Sequence, residues 1–266
     1  MLRLVISNQR GGVSKTTTTA TLARLLGNQG LKVLAIDTDP QGSLGLILGL
    51  QPRRYLHDFV IRNFALADCV VAARPKIDVL CSNRDTTRVE ATLLGTAGRE
   101  LAFNHMLASV DHGYDVVLID VSPSINMLQA CALLYARNLL VPVAMDMLSL
   151  QGAVACLQTA SMLAEMFQTP IQAVALQPVM IDRRYGLTAY ILQALEEIST
   201  RYSVPLLHPI RTDGTVPRAE RAKTFLADYC PKCKALEDYN IAAGQLMEML
   251  NVKGQSAERY QEAVSA

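Results

Sequence analysis

A short β-branched run, Leu2-Arg3-Leu4-Val5-Ile6-Ser7, leads into Gln9-Arg10-Gly11-Gly12-Val13-Ser14-Lys15-Thr16-Thr17, and a stretch of helical character follows from Thr18 to Leu26. Strand, glycine loop and helix in that order constrain the fold more than any other feature of the chain. The backbone N–H groups of such a loop close round an anion at the positive end of the helix. Gly11 and Gly12 let the backbone turn tightly and approach a ligand with no Cβ in the way. Lys15 is placed to reach the β and γ phosphates of a nucleotide, and the Thr16 hydroxyl to ligate Mg²⁺. Val13, Ser14 and Thr17 complete the phosphate-binding segment. The strict P-loop spacing has glycines where Gln9 and Ser14 stand. What fits is a narrower pattern, basic-Gly-Gly-x-x-Lys-Thr, whose basic residue is Arg10.

Beyond this loop, apolar runs of strand length alternate with helical stretches. The spacing predicts strands at Lys32 to Asp37, Ile77 to Cys81, Asp115 to Asp120, Leu139 to Ala144, Ile171 to Val179 and Val204 to Ile210. Helices are expected at Arg99 to Val110 and at about 128–137, 150–168, 187–202 and 235–250. Continuously apolar strands alternating with helices predict an α/β fold, a doubly wound and mostly parallel sheet with helices on both faces. A chain of 266 residues buries a full core easily. No repeat, linker or composition break divides it, so residues 1–250 read as one domain and 251–266 as a polar tail that frays.

Composition narrows the function classes. With 50% hydrophobic and 18% charged residues the chain is not disordered as a whole. A net charge of +1 means that any affinity for nucleic acid must come from a local patch. No apolar run reaches the roughly 18 residues of a membrane span, and the start lacks a signal-peptide pattern. A cytoplasmic protein without a membrane partner is the expectation. Of six cysteines only Cys230-Pro231-Lys232-Cys233 is closely spaced. A metal or redox pair is one reading of it. A structural zinc would need a second pair, and free thiols in a reducing compartment fit better.

Acidic residues stand where a nucleotide enzyme would use them. Asp37-Thr38-Asp39-Pro40-Gln41-Gly42 puts two carboxylates at the carboxyl end of the second strand, and Asp120-Val121-Ser122-Pro123-Ser124 puts one at the end of a later strand. That edge is where open α/β sheets bind ligands. An acid there holds the Mg²⁺ shell through water, and Asp39 would orient the attacking water. Each acid singly could be a turn or cap residue; three together with the loop argue for a site.

With these motifs the chain resembles the ParA/MinD type of deviant Walker-A ATPases, and within it the ParA-like partition ATPases. The resemblance continues through Leu140-Val141-Pro142-Val143 and Leu150-Gln151-Gly152 to Val216-Pro217-Arg218-Ala219-Glu220, Tyr229-Cys230-Pro231-Lys232 and Glu237-Asp238-Tyr239. It implies ATP and Mg²⁺ as cofactors, with Lys15 as the P-loop lysine, Thr16 as Mg²⁺ ligand, Asp39 as water-positioning acid, Asp120 as the Walker B acid and Asp37 supporting the metal shell. It implies a cycle in which ATP closes a homodimer and the signature basic residue of one subunit reaches phosphates held by the other. The dimer binds DNA non-specifically on the nucleoid, and a cargo-bound ParB-like or adaptor protein stimulates hydrolysis and release. The signature lysine is Arg10 here, and Ser14 replaces the glycine before the P-loop lysine, so slow hydrolysis is expected. Arginine keeps the charge in a planar, bulkier form.

A local excess of cations gives the DNA expectation residues. Asp182-Arg183-Arg184 follows a strand end, and Arg211, Arg218, Arg221 and Lys223 cluster later. No aromatic interleaving accompanies them, which points to phosphate contacts without sequence preference. Arg211 alternatively lines the adenine pocket. Two other readings stay open: positioning of a protein organelle or complex on the nucleoid, and a non-hydrolysing nucleotide switch; a metabolic P-loop ligase would need a substrate pocket that no motif here marks.

Overall fold

The computed structural model describes residues 1–250 except 96, 109–112 and 125; the tail expected at 251–266 lies outside the described residues. β1 (Leu2–Ile6) feeds the glycine loop and α1 (Lys15–Asn28). β2 (Val33–Asp37) is followed by α2 (Ser43–Ile47), α3 (Leu56–Arg62) and α4 (Leu66–Cys69). β3 (Val70–Arg74), β4 (Ile77–Leu80), α5 (Thr86–Leu94), a 3₁₀ turn at Arg99–Leu101 and α6 (Ala102–Met106) lead to β5 (Val116–Asp120). α7 (Met127–Ala136), β6 (Asn138–Val143), α8 (Met147–Met166), β7 (Gln172–Pro178) and α9 (Gly186–Tyr202) continue the winding. α10 (Thr215–Arg221), α11 (Leu226–Tyr229) and α12 (Lys234–Met249) close it.

The seven strands lie in the order β3-β4-β2-β5-β1-β6-β7. All neighbours pair parallel except β3 with β4. Leaving β1 the chain winds one way through β2 to β4, then returns through β5 to fill the gap and goes on to β6 and β7. The reversal of winding puts a crevice beside β1 at the carboxyl ends of the strands, where ligands bind in such sheets.

Strand period sorts the core onto the two faces. Leu4, Ile6, Val33, Ala35, Val116 and Leu118 pack with α1 and with Leu226, Leu236 and Tyr239 of the closing helices. Val5, Leu34, Ile36, Val117 and Ile119 pack on the other face with residues of α3 and α5 to α9. Both faces are covered, which is why β5 is buried at every position. α8 has the length and hydropathy to cross a bilayer. Here Leu150, Ala153, Cys156, Leu157, Ala160 and Leu163 give it an inward face in the core.

Two sequence expectations are corrected. Val204 to Ile210 is not a strand: it touches β7 through a single bridge, Leu176 to Leu206, and a second bridge joins Ile181 to Arg211. Pro205 and Pro209 lack the N–H groups that a ladder needs. The segment still runs beside β7, with Ile210 N–H donating to the Pro178 carbonyl at 2.8 Å. β3 is an edge strand absent from the sequence expectations: Val70-Val71-Ala72-Ala73-Arg74 turns back at Pro75-Lys76 and pairs antiparallel with β4.

Candidate nucleotide site

β1 ends at Ile6, and the next residues are pinned before the glycines begin. The Asn8 side chain donates to the carbonyls of Pro142 at 2.8 Å and Ser149 at 3.1 Å, and its Oδ1 accepts the Arg10 N–H at 2.9 Å. Gly152 of α8 leaves room for that clamp: a Cβ there would lie 2.2 Å from Asn8 Oδ1 and 3.0 Å from Arg10 N. The Gln129 amide donates to Ser7 Oγ at 2.9 Å, and the Gln9 amide donates to Thr159 Oγ1 at 3.2 Å. Asn8, Gln129 and Gly152 were not singled out as site residues. Asn8 adjoins the motif and Gly152 stands in Leu150-Gln151-Gly152, but their mutual contact joins segments distant in sequence.

The loop itself carries two left-handed residues, Gly12 at φ 74° and Ser14 at φ 59°. Cβ atoms added at Gly11 and Gly12 would meet nothing within 4 Å, so both glycines border open space. Val13 is buried and anchors the loop from below. Lys15 turns its ammonium back into the loop and donates to the Arg10 carbonyl at 2.9 Å. Burial lowers its pKa, against the opposing pull of Asp120, Cys156 and Asp39. The Arg10 side chain is exposed and has no hydrogen bond or ion pair among the described residues. The Thr17 hydroxyl donates to Glu220 Oε1 at 2.8 Å, and the Thr18 hydroxyl meets the Tyr239 hydroxyl at 2.9 Å. These contacts tie α1 to α10 and α12.

Three acids converge from two adjacent strand ends. Asp37 and Asp120 stand opposite each other in the β2–β5 register. Asp37 is fully buried, and its two oxygens accept the N–H groups of Asp39 at 2.9 Å and Leu44 at 3.0 Å. Thr38 fixes the same turn by donating through its N–H and its hydroxyl to the Asp120 carbonyl. Asp39 Oδ1 accepts the Gln41 N–H at 2.9 Å. Gly42 completes the turn at φ 65°, with the Ser82 carbonyl 2.6 Å from where a Cβ would stand. Asp120 differs from its neighbours, because both carboxylate oxygens are buried and neither has a hydrogen-bond partner. Burial first pushes its pKa up to about 7, while Thr16 and Lys15 beside it pull downward. Burial, and then the Asp120 charge, raise Asp37 well above the ordinary range. A buried carboxylate left without partners next to a second one calls for a cation. Among the described residues no three His, Cys, Asp or Glu side chains group as a metal cage. One hydroxyl and one or two acids beside a phosphate cradle suit Mg²⁺, which keeps waters and substrate oxygens in its shell.

A family model described as an AAA domain matches residues 1–173. The chain belongs to the ParA/MinD type of P-loop ATPases. The cell division protein PomZ of Myxococcus xanthus is 29% identical over 252 residues, which cover 93% of this chain and 78% of PomZ. The chromosome partitioning protein ParA of Caulobacter vibrioides is 29% identical over 269 residues, 99% of this chain and 97% of that protein. Among solved structures, cobyrinic acid a,c-diamide synthase from Mycobacterium smegmatis with bound ADP and magnesium superposes with a TM-score of 0.80. It is 29% identical and the match covers 96% of this chain and 97% of that one.

The expected cation cluster divides. Arg183, Arg218, Arg221 and Lys223 are exposed and hold no ion pair among the described residues. Arg184 is paired to Asp182, with Nε 2.9 Å from Oδ1. Arg211 grips Asp238 with Nε 2.8 Å from Oδ2 and one terminal nitrogen 2.8 Å from Oδ1. Burial alone would raise the Asp238 pKa, yet the bonds from Arg211 and His208 hold it lowered. Arg211 therefore ties the loop after Ile210 to α12, and its guanidinium is committed there.

Proposed function

We propose that this chain is an ATP hydrolase that uses the bound nucleotide to close a homodimer and hold non-specific DNA, positioning a plasmid, a chromosome or a protein cargo. The observation that carries the reading is the set Lys15, Thr16, Asp39 and Asp120 gathered at one strand edge, with Asp120 buried and unpartnered. In this reading Gly11 to Thr17 cradle the phosphates of ATP, and Lys15 exchanges the Arg10 carbonyl for the β and γ oxygens. The Thr16 hydroxyl and Asp120 would hold Mg²⁺, while Asp37 fixes the turn that carries Asp39. Bound Mg²⁺ neutralises phosphate charge. Asp39 orients the attacking water, and the Arg10 guanidinium, free of partners, reaches the phosphates held by the second subunit.

Arg10 supports a slow turnover. A planar guanidinium on an exposed loop is less able than a lysine to act as a compact charge. Arg183, Arg218, Arg221 and Lys223 supply the DNA contacts, on phosphates and without base readout. A cytoplasmic, nucleoid-bound protein stimulated by a ParB-like or adaptor partner follows. The ligase reading gains nothing from a cleft of about 550 Å³ lined by Leu157, Val174, Tyr202 and Met249. It opens at the amino-terminal end of β7, the opposite edge of the sheet from Lys15.

Sedimentation of the Asp39→Ala variant with Mg-ATP tests the cycle. The variant is expected to bind ATP, fail to hydrolyse it and accumulate as a dimer, and Arg10→Ala should bind ATP yet stay monomeric. A dimer of unchanged strength in Arg10→Ala would remove the cross-subunit role.

A further inference from the structure

The turn between α11 and α12 carries chemistry that the nucleotide site does not use. Its residues are Cys230-Pro231-Lys232-Cys233. Cys230 caps the end of α11 in extended backbone, its N–H donating to the Leu226 carbonyl at 2.9 Å. Cys233 is the N-cap of α12, and its carbonyl accepts the Glu237 N–H at 3.1 Å. Pro231 and Lys232 make the turn between them. A four-residue turn keeps its end α-carbons within about 7 Å. That range overlaps the roughly 4.4–6.8 Å that a disulfide spans. Burial raises the Cys233 pKa, the Leu236 N–H opposes it, and Asp213 and Cys230 nearby add to the rise.

Exposure separates their roles. Cys69, Cys81, Cys131, Cys156 and Cys233 are buried, and Cys230 alone is half-exposed. An oxidant in solution therefore meets Cys230 first, with a second sulfur waiting behind it. A metal does not account for the pair. The Asp213 oxygens accept the N–H groups of Thr215 at 2.8 Å and Ala235 at 3.2 Å, and no third ligand joins the cysteines among the described residues.

We propose that Cys230 and Cys233 form a reversible thiol–disulfide site, oxidised by a low-molecular-weight disulfide such as oxidised glutathione. The Cys230 thiolate attacks one glutathione sulfur and expels a first glutathione thiolate, leaving a mixed disulfide. The Cys233 sulfur, losing its proton to solvent, then attacks the Cys230 sulfur and expels the second glutathione. Two protein thiols are oxidised and one glutathione disulfide is reduced to two thiols. The bridge staples the seam that supports α1. On one side Asp228 of α11 holds Arg24 of α1 and Arg74 of β3, both at 2.7 Å; on the other Tyr239 of α12 meets Thr18 at 2.9 Å.

The test equilibrates the full chain in glutathione buffers of stepped poise, quenches with acid, alkylates and maps the peptides by mass. The expected product is a 230–233 peptide short of two hydrogens and without alkyl groups. The other four cysteines stay alkylated, and dithiothreitol reverses the change. The bridging equilibrium should lie at least about tenfold further toward disulfide in the folded chain than in the urea-unfolded chain, which corresponds to about 30 mV. In Cys230→Ser, Cys233 should remain a thiol throughout. A stable glutathione adduct on Cys230 beside a free Cys233, or equal oxidation of folded and unfolded chains, would overturn the proposal.

Discussion

At the residue scale, Ser14 and Asp120 each hold a state that costs the fold something and that the site can use. Ser14 adopts φ 59°, where a Cβ crowds the backbone at a cost of about 1–2 kcal/mol and glycine pays none of it. Ser14→Gly should raise the melting temperature by about 2–4 °C, the change that roughly 1 kcal/mol produces in a chain of this size. A fall in thermal scans would show that the serine is relaxed there. Asp120 takes up a proton on folding, because its folded pKa of about 7 lies above its ordinary value. Its contribution to stability is fully present below the ordinary carboxylate pKa and is lost as pH rises through about 7. Asp120→Asn removes that loss. At pH 8 without nucleotide the variant should melt about 2–6 °C higher than the wild type and show a flatter pH dependence from 5 to 8. Mg-ATP should stabilise the wild type and not the variant. The residue types at both positions were legible in sequence. The left-handed backbone at Ser14 and the missing partners of Asp120 became visible only once loop and strand ends were packed.

At the scale of elements, the glycine loop depends on a helix that sequence places far away. α8 approaches the loop so closely at Gly152 that any side chain there displaces Asn8, which makes three bonds at the root of the loop. Gly152→Ala is expected to weaken ATP binding at least about tenfold, since the loop must shift to admit a methyl group. Calorimetric titration checks it, and unchanged affinity would mean that the clamp is dispensable. The alternation of apolar strands and helices made the parallel core readable, because Val and Leu positions of period two face both layers. The segment from Val204 to Ile210 was misread for the same reason. It is apolar enough for a strand, but Pro205 and Pro209 break its ladder and leave it as a bridged strap along β7. α2, α3 and α4 are too short for helical periodicity to show.

For the molecule as a whole, one sheet edge gathers the residues proposed for the nucleotide, while the exposed cations lie on the α9 approach, on α10 and in the turn just after it. The proposed DNA surface needs no bulk charge, since the chain carries a net +1. Arg218→Glu with Arg221→Glu should weaken binding to every duplex sequence alike and leave ATP affinity intact. Arg184→Glu should have the smaller effect, because Asp182 already takes up that charge. Much of this surface was legible as a cluster, but the pairing of Arg184 and Arg211 with acids was not, because it depends on loop geometry rather than on composition. The most direct measurement is the anisotropy of a labelled duplex of arbitrary sequence, titrated with wild-type protein in Mg-ATP and in Mg-ADP across a salt series. The account predicts binding that is strong with ATP, weak with ADP, and whose logarithmic affinity falls linearly with the logarithm of salt. Equal affinity in the two nucleotides, or affinity indifferent to salt, would contradict it.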